Sequence, residues 1–358
     1  TSNCRPAATV PPVPAGRQLL VATNRGAIEV VDPILGITRP VIFPDSVGEF
    51  RAPPQAEQSR AYAVLDDKLT AIDITTRTRL WSWPGPDVRQ GVRLTGLFTV
   101  TEHELIQGTL LGFAGAIKGG VQVVAIDSAT GRGVSYAPLD TGDLTGIPVI
   151  DRPRANTTVL YLPGSGLACY DITACTESSP PRLLYTQQTR GDLIGRALKV
   201  TTAGRPALLF SDSSGQVLAV DADPQVGETK RILGAWPLDG TQPSSPVWGG
   251  GALAYVSVIE GRTYGLDLSK PGQPAWRYPT AKDARSAVPL IGSPAIGQRG
   301  LYLTDNAGTM RCLDLATGVE RWRVDLGAPA AGGPAAADGR VFVPLRTGHL
   351  LCFEEGQE

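Results

Sequence analysis

Carboxylates are the residues of this chain whose type and spacing most invite a chemical role. Eight recur in one setting, a small residue, an apolar residue and then the acid: Asp32, Asp73, Asp127, Asp171, Asp221, Asp267, Asp314 and Glu354. Paired carboxylates can serve as general acid and base. Eight equivalent copies cannot all be catalytic, however, and an acid just before a Thr-Gly turn accepts the backbone N–H groups of that turn. These acids are therefore expected to be structural. Other reactive types are sparse. The 2 histidines, His103 and His349, fall in unrelated stretches, and His349 reads as a polar residue at a loop edge rather than a metal ligand. Asp221, Asp223 and Glu228 have a faintly calcium-like spacing but lack the run of oxygen ligands that a calcium loop supplies. No catalytic residue, metal or cofactor is expected.

The spacing of the acids says more about the elements that carry them. Successive copies lie 40 to 54 residues apart, a period that points to a β-propeller rather than a helical solenoid. The cleanest copy runs from Gly292 to Leu326. In it, Ser293–Ile296 and Leu301–Thr304 read as strands, and Asp305-Asn306-Ala307-Gly308 as a hairpin turn whose Asn and Gly accept positive φ. Thr309–Asp314 is a third strand, Ala316-Thr317-Gly318 a turn and Glu320–Val324 a fourth strand. The expected fold is thus all-β, an eight-bladed β-propeller of four-stranded antiparallel blades. The last acid lies four residues before Glu358, too close for a fourth strand. The ring is therefore expected to close by sharing strands between its N- and C-termini. Residues 16–358 would form one propeller domain, and residues 1–15 either a linker or the closing strand.

Composition agrees with a turn-rich sheet protein. The chain of 358 residues holds 42 glycines and 30 prolines, about a fifth of its length, while 42% of residues are apolar. Disorder requires lower hydrophobicity, and long helices do not tolerate this many breakers. A formal net charge of −1 offers no broad basic footprint for nucleic acid. No run of 18 or more apolar residues is present, so no transmembrane helix is expected.

Three of the five cysteines, Cys169, Cys312 and Cys352, stand two residues before an acid, where other copies have Val30, Ala71, Ala125, Ala219 and Gly265. They read as small buried hydrophobes. Cys169 with Cys175 is the one local pair whose bonding stays open. Trp81, Trp236, Trp276 and Trp322 read as packing anchors between neighbouring blades. Asn156-Thr157-Thr158 is a glycosylation sequon only where the cell has that machinery, and Arg190-Gly191-Asp192 matches an adhesion tripeptide of a length that recurs by chance.

Strand direction locates a binding face. Loops that join blades, and hairpins between second and third strands, emerge on the same side of a propeller. That side gathers Arg51, Arg89, Arg93, Asp143, Asp192, Thr241, Arg285 and Ser286 from joining loops, with Arg25, Asp67, Lys118 and Asn306 from hairpins. Within it, Gly142-Asp143-Leu144-Thr145-Gly146 is similar to Gly191-Asp192-Leu193-Ile194-Gly195.

Asp314-Leu315-Ala316-Thr317-Gly318-Val319-Glu320-Arg321-Trp322 and Asp127-Ser128-Ala129-Thr130-Gly131 resemble the repeat of the pyrroloquinoline-quinone-type β-propellers. In that repeat an acid, a Thr-Gly turn and a Trp follow in fixed order. Within the superfamily, the size and lack of appended domains are most similar to the BamB-type family, outer-membrane assembly lipoproteins. The quinone-dependent dehydrogenases of the superfamily use a vicinal disulfide and a calcium ion, and this chain has no adjacent Cys-Cys pair. The resemblance implies a non-catalytic protein-interaction scaffold of the bacterial cell envelope, periplasmic or extracellular and membrane-associated. It would dock on a membrane or envelope protein complex through propeller-face loops. It also makes Cys4 the candidate lipidation site, although Asn3 is a poor fit to the small residue usually found before a lipidated Cys. Two alternatives stay open, a quinone- or metal-dependent redox enzyme and a ligand-sensing ectodomain of a receptor or kinase.

Overall fold

A computed structural model describes the chain except for residues 1–11, 43–49, 51–53, 84–91, 100–108, 117–119, 140–143, 175–180, 228–230, 281–286 and 357–358. Positions 16, 24–25, 33, 36–37, 58, 66–67 and 203 are also not described. All regular structure among the described residues is β. Six four-stranded antiparallel blades span residues 13–42, 55–83, 92–139, 149–188, 247–278 and 295–325.

This corrects the expectation of eight four-stranded blades: six are present. Residues 193–237 form a four-stranded unit that takes on a fifth strand, Gly146–Ile147, parallel to Gly195 and Arg196. Residues 335–354 form a sheet of three strands among the described residues. The reason is that the acid marks the third strand of each repeat. It counts repeats without reporting how many strands each completes or which neighbour a short segment joins. The parallel strand also brings together the two similar Gly-containing segments, with Gly146 opposite Gly195. The side chain of Thr145 donates to Leu193 O at 2.7 Å.

Val13–Ala15 pairs with Gln18–Leu20 as the innermost strand of its own blade. Residues 4–11, the rest of the expected closing segment, lie outside the described residues. The first and last sheets pack together: Leu19, Val21 and Val31 of the 13–42 blade form a buried cluster with Phe342, joined by Ala337 and Leu350.

The core lies between blades. Second and third strands are therefore buried on both faces and read as apolar runs, as in Thr157–Pro163 and Gln216–Asp221. Outermost strands such as Arg182–Gln188 face solvent on much of their surface. One large cluster joins Leu209, Val217 and Trp236 of the 193–237 sheet to Val256, Tyr264 and Leu266 of the next blade.

A recurring latch holds neighbours in register. Asp127 Oδ1 accepts the N–H groups of Ala129 and Thr130 at 2.8 Å each, which fixes the turn after the third strand. The following carbonyl, Ser128 O, accepts Trp81 Nε1–H of the preceding blade at 2.9 Å. At the next such joint, Leu315 O accepts both Tyr255 O–H at 3.0 Å and Trp276 Nε1–H at 3.1 Å. Tyr161 O–H donates to Ala222 O at 2.7 Å in the same sense. Each Trp lies on the turn glycine: a Cβ on Gly131 would stand 2.6 Å from the Trp81 ring. The last acid is followed by Glu355 and Gly356 instead of a Thr-Gly turn, and Trp322 stays 42% exposed.

Gly131 and Gly204 separate strain from the packing of this latch. Both have left-handed φ, 71° and 73°, but a Cβ at Gly204 would meet nothing within 4 Å. Gly204→Ala should cost about 1–2 kcal/mol for the backbone alone. Gly131→Ala should cost about 2–4 kcal/mol, because the Trp81 ring must also move. Urea unfolding of the two variants checks this, and equal losses would refute the latch.

Candidate functional site

On the joining-loop face, four described loops are tethered to the hairpin of their own sheet. Asp212, fully buried, begins the hairpin Asp212-Ser213-Ser214-Gly215. Its Oδ1 accepts Ser214 N–H at 2.7 Å, and its Oδ2 accepts Gly191 N–H at 3.1 Å and a Gln216 amide proton at 3.0 Å. Burial opposes ionisation of Asp212, but the Ser214 hydroxyl, the Gln216 amide and the two backbone donors outweigh it. They hold the carboxyl below its ordinary range. Asp192 N–H donates to Ser213 Oγ at 2.9 Å. One sheet further on, Glu260 Oε1 accepts the N–H and hydroxyl of Thr241 at 2.9 and 2.8 Å. Asn306 N–H reaches Pro289 O at 2.9 Å, and Arg346 N–H reaches Pro329 O at 3.0 Å.

Backbone tethering leaves side chains free. Arg190 and Asp192 flank the anchored Gly191, are exposed, and make no side-chain hydrogen bond or ion pair among the described residues. Arg190 was visible in sequence only as part of a chance tripeptide. What distinguishes it is Asp212, 22 residues away, gripping the glycine beside it. Of the other candidates, Thr241 is exposed and bonded to Glu260, and Arg93 lies on the strand Val92–Thr99. Arg51, Arg89, Asp143, Arg285 and Ser286, with Arg25, Asp67 and Lys118, lie outside the described residues. So do Cys4, Cys175, His103 and Glu228.

A cleft of about 210 Å³ opens on this face between the inner ends of the 247–278 and 295–325 blades. Its walls are Gln242, Ser244, Ser257, Val258, Ile259, Leu290, Gly292 and Ser293.

The remaining reactive types are placed structurally. Cys169 and Cys312 are free and buried, whereas Cys352 is free and exposed, which corrects the expectation of burial there. Burial pushes the Cys169 thiol up to about 12, far from a thiolate at neutral pH. The buried Arg231 guanidinium stacks 3.3 Å from the centroid of the Tyr185 ring. His349 is exposed and meets Thr347 Oγ1 at 3.0 Å. Asp223 pairs with Arg154 at 2.7 Å and accepts Gln225 N–H at 3.0 Å. Among the described residues no group of three or more His, Cys, Asp or Glu is placed to hold a metal ion. No helix among them is long and apolar enough to cross a membrane.

The repeat acids face the opposite side of the ring. Asp32, Asp73 and Asp314 each accept two N–H groups of the following turn through Oδ1. Asp171, Asp221 and Asp267 each accept one, and Glu354 lies 3.7 Å from Arg340. The Arg321 guanidinium, then the Thr317 hydroxyl and N–H, hold the Asp314 carboxyl down at about 2.

A ring of four-stranded blades joined by acid-turn-tryptophan latches defines a β-propeller of the pyrroloquinoline-quinone type. The model of the family described as outer membrane protein assembly factor BamB matches residues 4–223 and 260–357, and the chain belongs to that family. An outer membrane protein assembly factor BamB of Nitrosomonas eutropha is 31% identical over 100 residues. That match spans 28% of this chain and 24% of the relative, about a quarter of its length. Among solved structures, BamB of Moraxella catarrhalis superposes with a TM-score of 0.68 at 14% identity, covering 99% of this chain and 97% of the other. The quinohemoprotein alcohol dehydrogenase of Comamonas testosteroni gives 0.65 at 14% identity, over 96% and 71%. Sqt1 of Saccharomyces cerevisiae gives 0.71 at 11%, over 100% and 98%. At these identities the structural likenesses establish the fold alone.

The Asp314 pair sets a pH dependence. A carboxylate whose folded pKa lies near 2, against about 3.9 unfolded, contributes stability that is complete above about pH 4 and is lost as pH falls through about 2. Asp314→Asn should therefore lower stability at neutral pH and flatten its decline between about pH 4 and pH 2. Parallel slopes for variant and wild type in acid-titrated urea melts would show that the pair is not linked to folding.

Proposed function

We propose that this chain is a non-catalytic scaffold of the bacterial cell envelope that docks on membrane-protein partners through its joining-loop face. The observation that carries this reading is the combination of backbone-anchored loops with unengaged charged side chains at Arg190 and Asp192. Loops already ordered in the free protein lose little entropy on binding, and exposed charges of both signs give specificity without a broad electrostatic field. On this reading Arg51, Arg89, Arg93, Asp143, Thr241, Arg285 and Ser286, assigned to the same face from strand direction in the sequence, take part in docking. Family membership supports the setting, since the matched relatives are named as outer membrane protein assembly factors. On this reading residues 16–358 act as one body at the periplasmic side of the outer membrane, and Cys4 is the attachment point for a lipid.

Affinity capture from detergent-solubilised envelopes of the source cell tests the proposal. The wild-type chain should recover defined membrane proteins. The double variant Arg190→Glu with Asp192→Arg should recover at least tenfold less while keeping its melting temperature. Recovery of nothing above background by the wild type would overturn the scaffold reading. Dye-linked reductase activity after addition of pyrroloquinoline quinone and calcium would favour the redox alternative.

A further inference from the structure

The sheet of residues 335–354 ends on an open edge. Its third strand, Leu350–Glu354, pairs with Arg340–Pro344 on one side and, among the described residues, with no strand on the other. Leu345 N–H donates to His349 O at 2.8 Å, and Glu355 N–H donates to Gly339 O at 2.7 Å. The backbone groups of the odd-numbered residues therefore face the partner strand, and those of Leu350, Cys352 and Glu354 face outward. An edge of this kind is a template for one more extended backbone.

The other sheets define what that backbone would carry. In four of them the residue two before the acid stands opposite an aromatic residue of the outer strand: Ala71 opposite Trp81, Cys169 opposite Tyr185, Gly265 opposite Trp276 and Cys312 opposite Trp322. These small residues are all buried. Trp81 lies on Gly131 and Trp276 on Gly318, each the Gly four residues after the acid of the next sheet. On the open edge the small residue is Cys352, and it is exposed. The sheet packed beside it is the 13–42 blade, whose sequence has Gly36 four residues after Asp32. Asp32 Oδ1 accepts Ile34 and Leu35 N–H at 2.9 and 3.0 Å, as Asp127 and Asp314 do in their turns. Those turns carry Ala129-Thr130 and Ala316-Thr317 where this one carries Ile34-Leu35. At 72% and 67%, Ile34 and Leu35 are the most exposed large apolar residues among those described.

We infer that the Leu350–Glu354 edge takes one extended segment of a partner polypeptide, antiparallel to it, with an aromatic residue opposite Cys352 whose ring lies on the Asp32 turn beside Ile34 and Leu35. The outward backbone groups select a strand, the small Cys352 side chain leaves room for a ring, and the apolar turn favours a large apolar group over a polar one. Residues 1–12 contain no aromatic side chain, so a strand formed from them would leave that place unfilled.

That the segment belongs to a partner rests on the scaffold reading above. The edge itself is tested with a synthetic strand, so failure of one does not decide the other. The probe is the outer strand that this chain places opposite Cys312, residues 318–327 as a peptide containing Trp322. In the free protein, the Cys352 and Glu354 amide hydrogens should exchange at least about a hundredfold faster by NMR than that of Cys312, whose strand is paired on both sides. Peptide should slow both saturably, and the Trp322→Ala peptide should bind at least about tenfold more weakly. Cys352→Pro in the protein removes an outward N–H and should abolish binding. The double variant Ile34→Ala with Leu35→Thr, which copies the Asp314 turn, should weaken binding at least about fivefold with an unchanged melting temperature. Slow Cys352 exchange in the free protein would show that the edge is already filled and would overturn the inference. So would absence of saturable binding, equal affinity of the two peptides, or equal affinity of the wild type and the turn variant.

Discussion

The structure depends on a carbonyl that follows the blade acid, engaged by the neighbouring sheet at three joints among the described residues. The acid accepts turn N–H groups and so fixes the turn, and the fixed turn presents its carbonyl to the neighbouring blade. Ser128 O, Ala222 O and Leu315 O receive indole or phenol donors in this way. Each bond contributes only about 0.5–1.5 kcal/mol net. Its larger effect is geometric, because a buried Tyr or Trp can satisfy its polar atom only if the two blades stand at one separation and one register.

That constraint divides the ring into two functional sides. The side carrying the acids is occupied with holding blades together, its aspartates each accepting one or two backbone N–H groups of the following turn. The side carrying joining loops is relieved of that task. There the carboxylates of Asp212 and Glu260 tether loop backbones to hairpins, which leaves neighbouring side chains such as Arg190 and Asp192 free. A rigid face with unengaged charges is suited to recognising protein surfaces. The buried Cys169, with its thiol pushed up to about 12, is suited to packing rather than to redox chemistry.

The departures from uniform blades share a cause. Inner strands run close together around the axis, so a segment there can pair with whichever backbone is nearer. Gly146 lets the chain approach so closely that an added Cβ would stand 2.9 Å from Leu193 O, and the strand Gly146–Ile147 joins the following sheet instead of its own. Toward the other end of the chain, the 335–354 sheet has three strands among the described residues and packs against the 13–42 blade around Phe342.

The sequence by itself determined the repeat, the strand grammar within it and the face on which loops gather. These follow from local chemistry: an acid before a turn, glycine at positive φ, and apolar runs that alternate with breakers. Only the tertiary structure decided that, among the described residues, six blades are four-stranded, that one sheet has five strands, and that the 13–42 blade packs on the 335–354 sheet. Those outcomes depend on which backbone edge lies nearest in space, and no local motif encodes that. The same holds for the candidate site. Thr241 and Asp192 were legible as joining-loop residues, but the freedom of Arg190 and the cleft between Gln242 and Ser293 arise from contacts across 19 to 51 residues of chain.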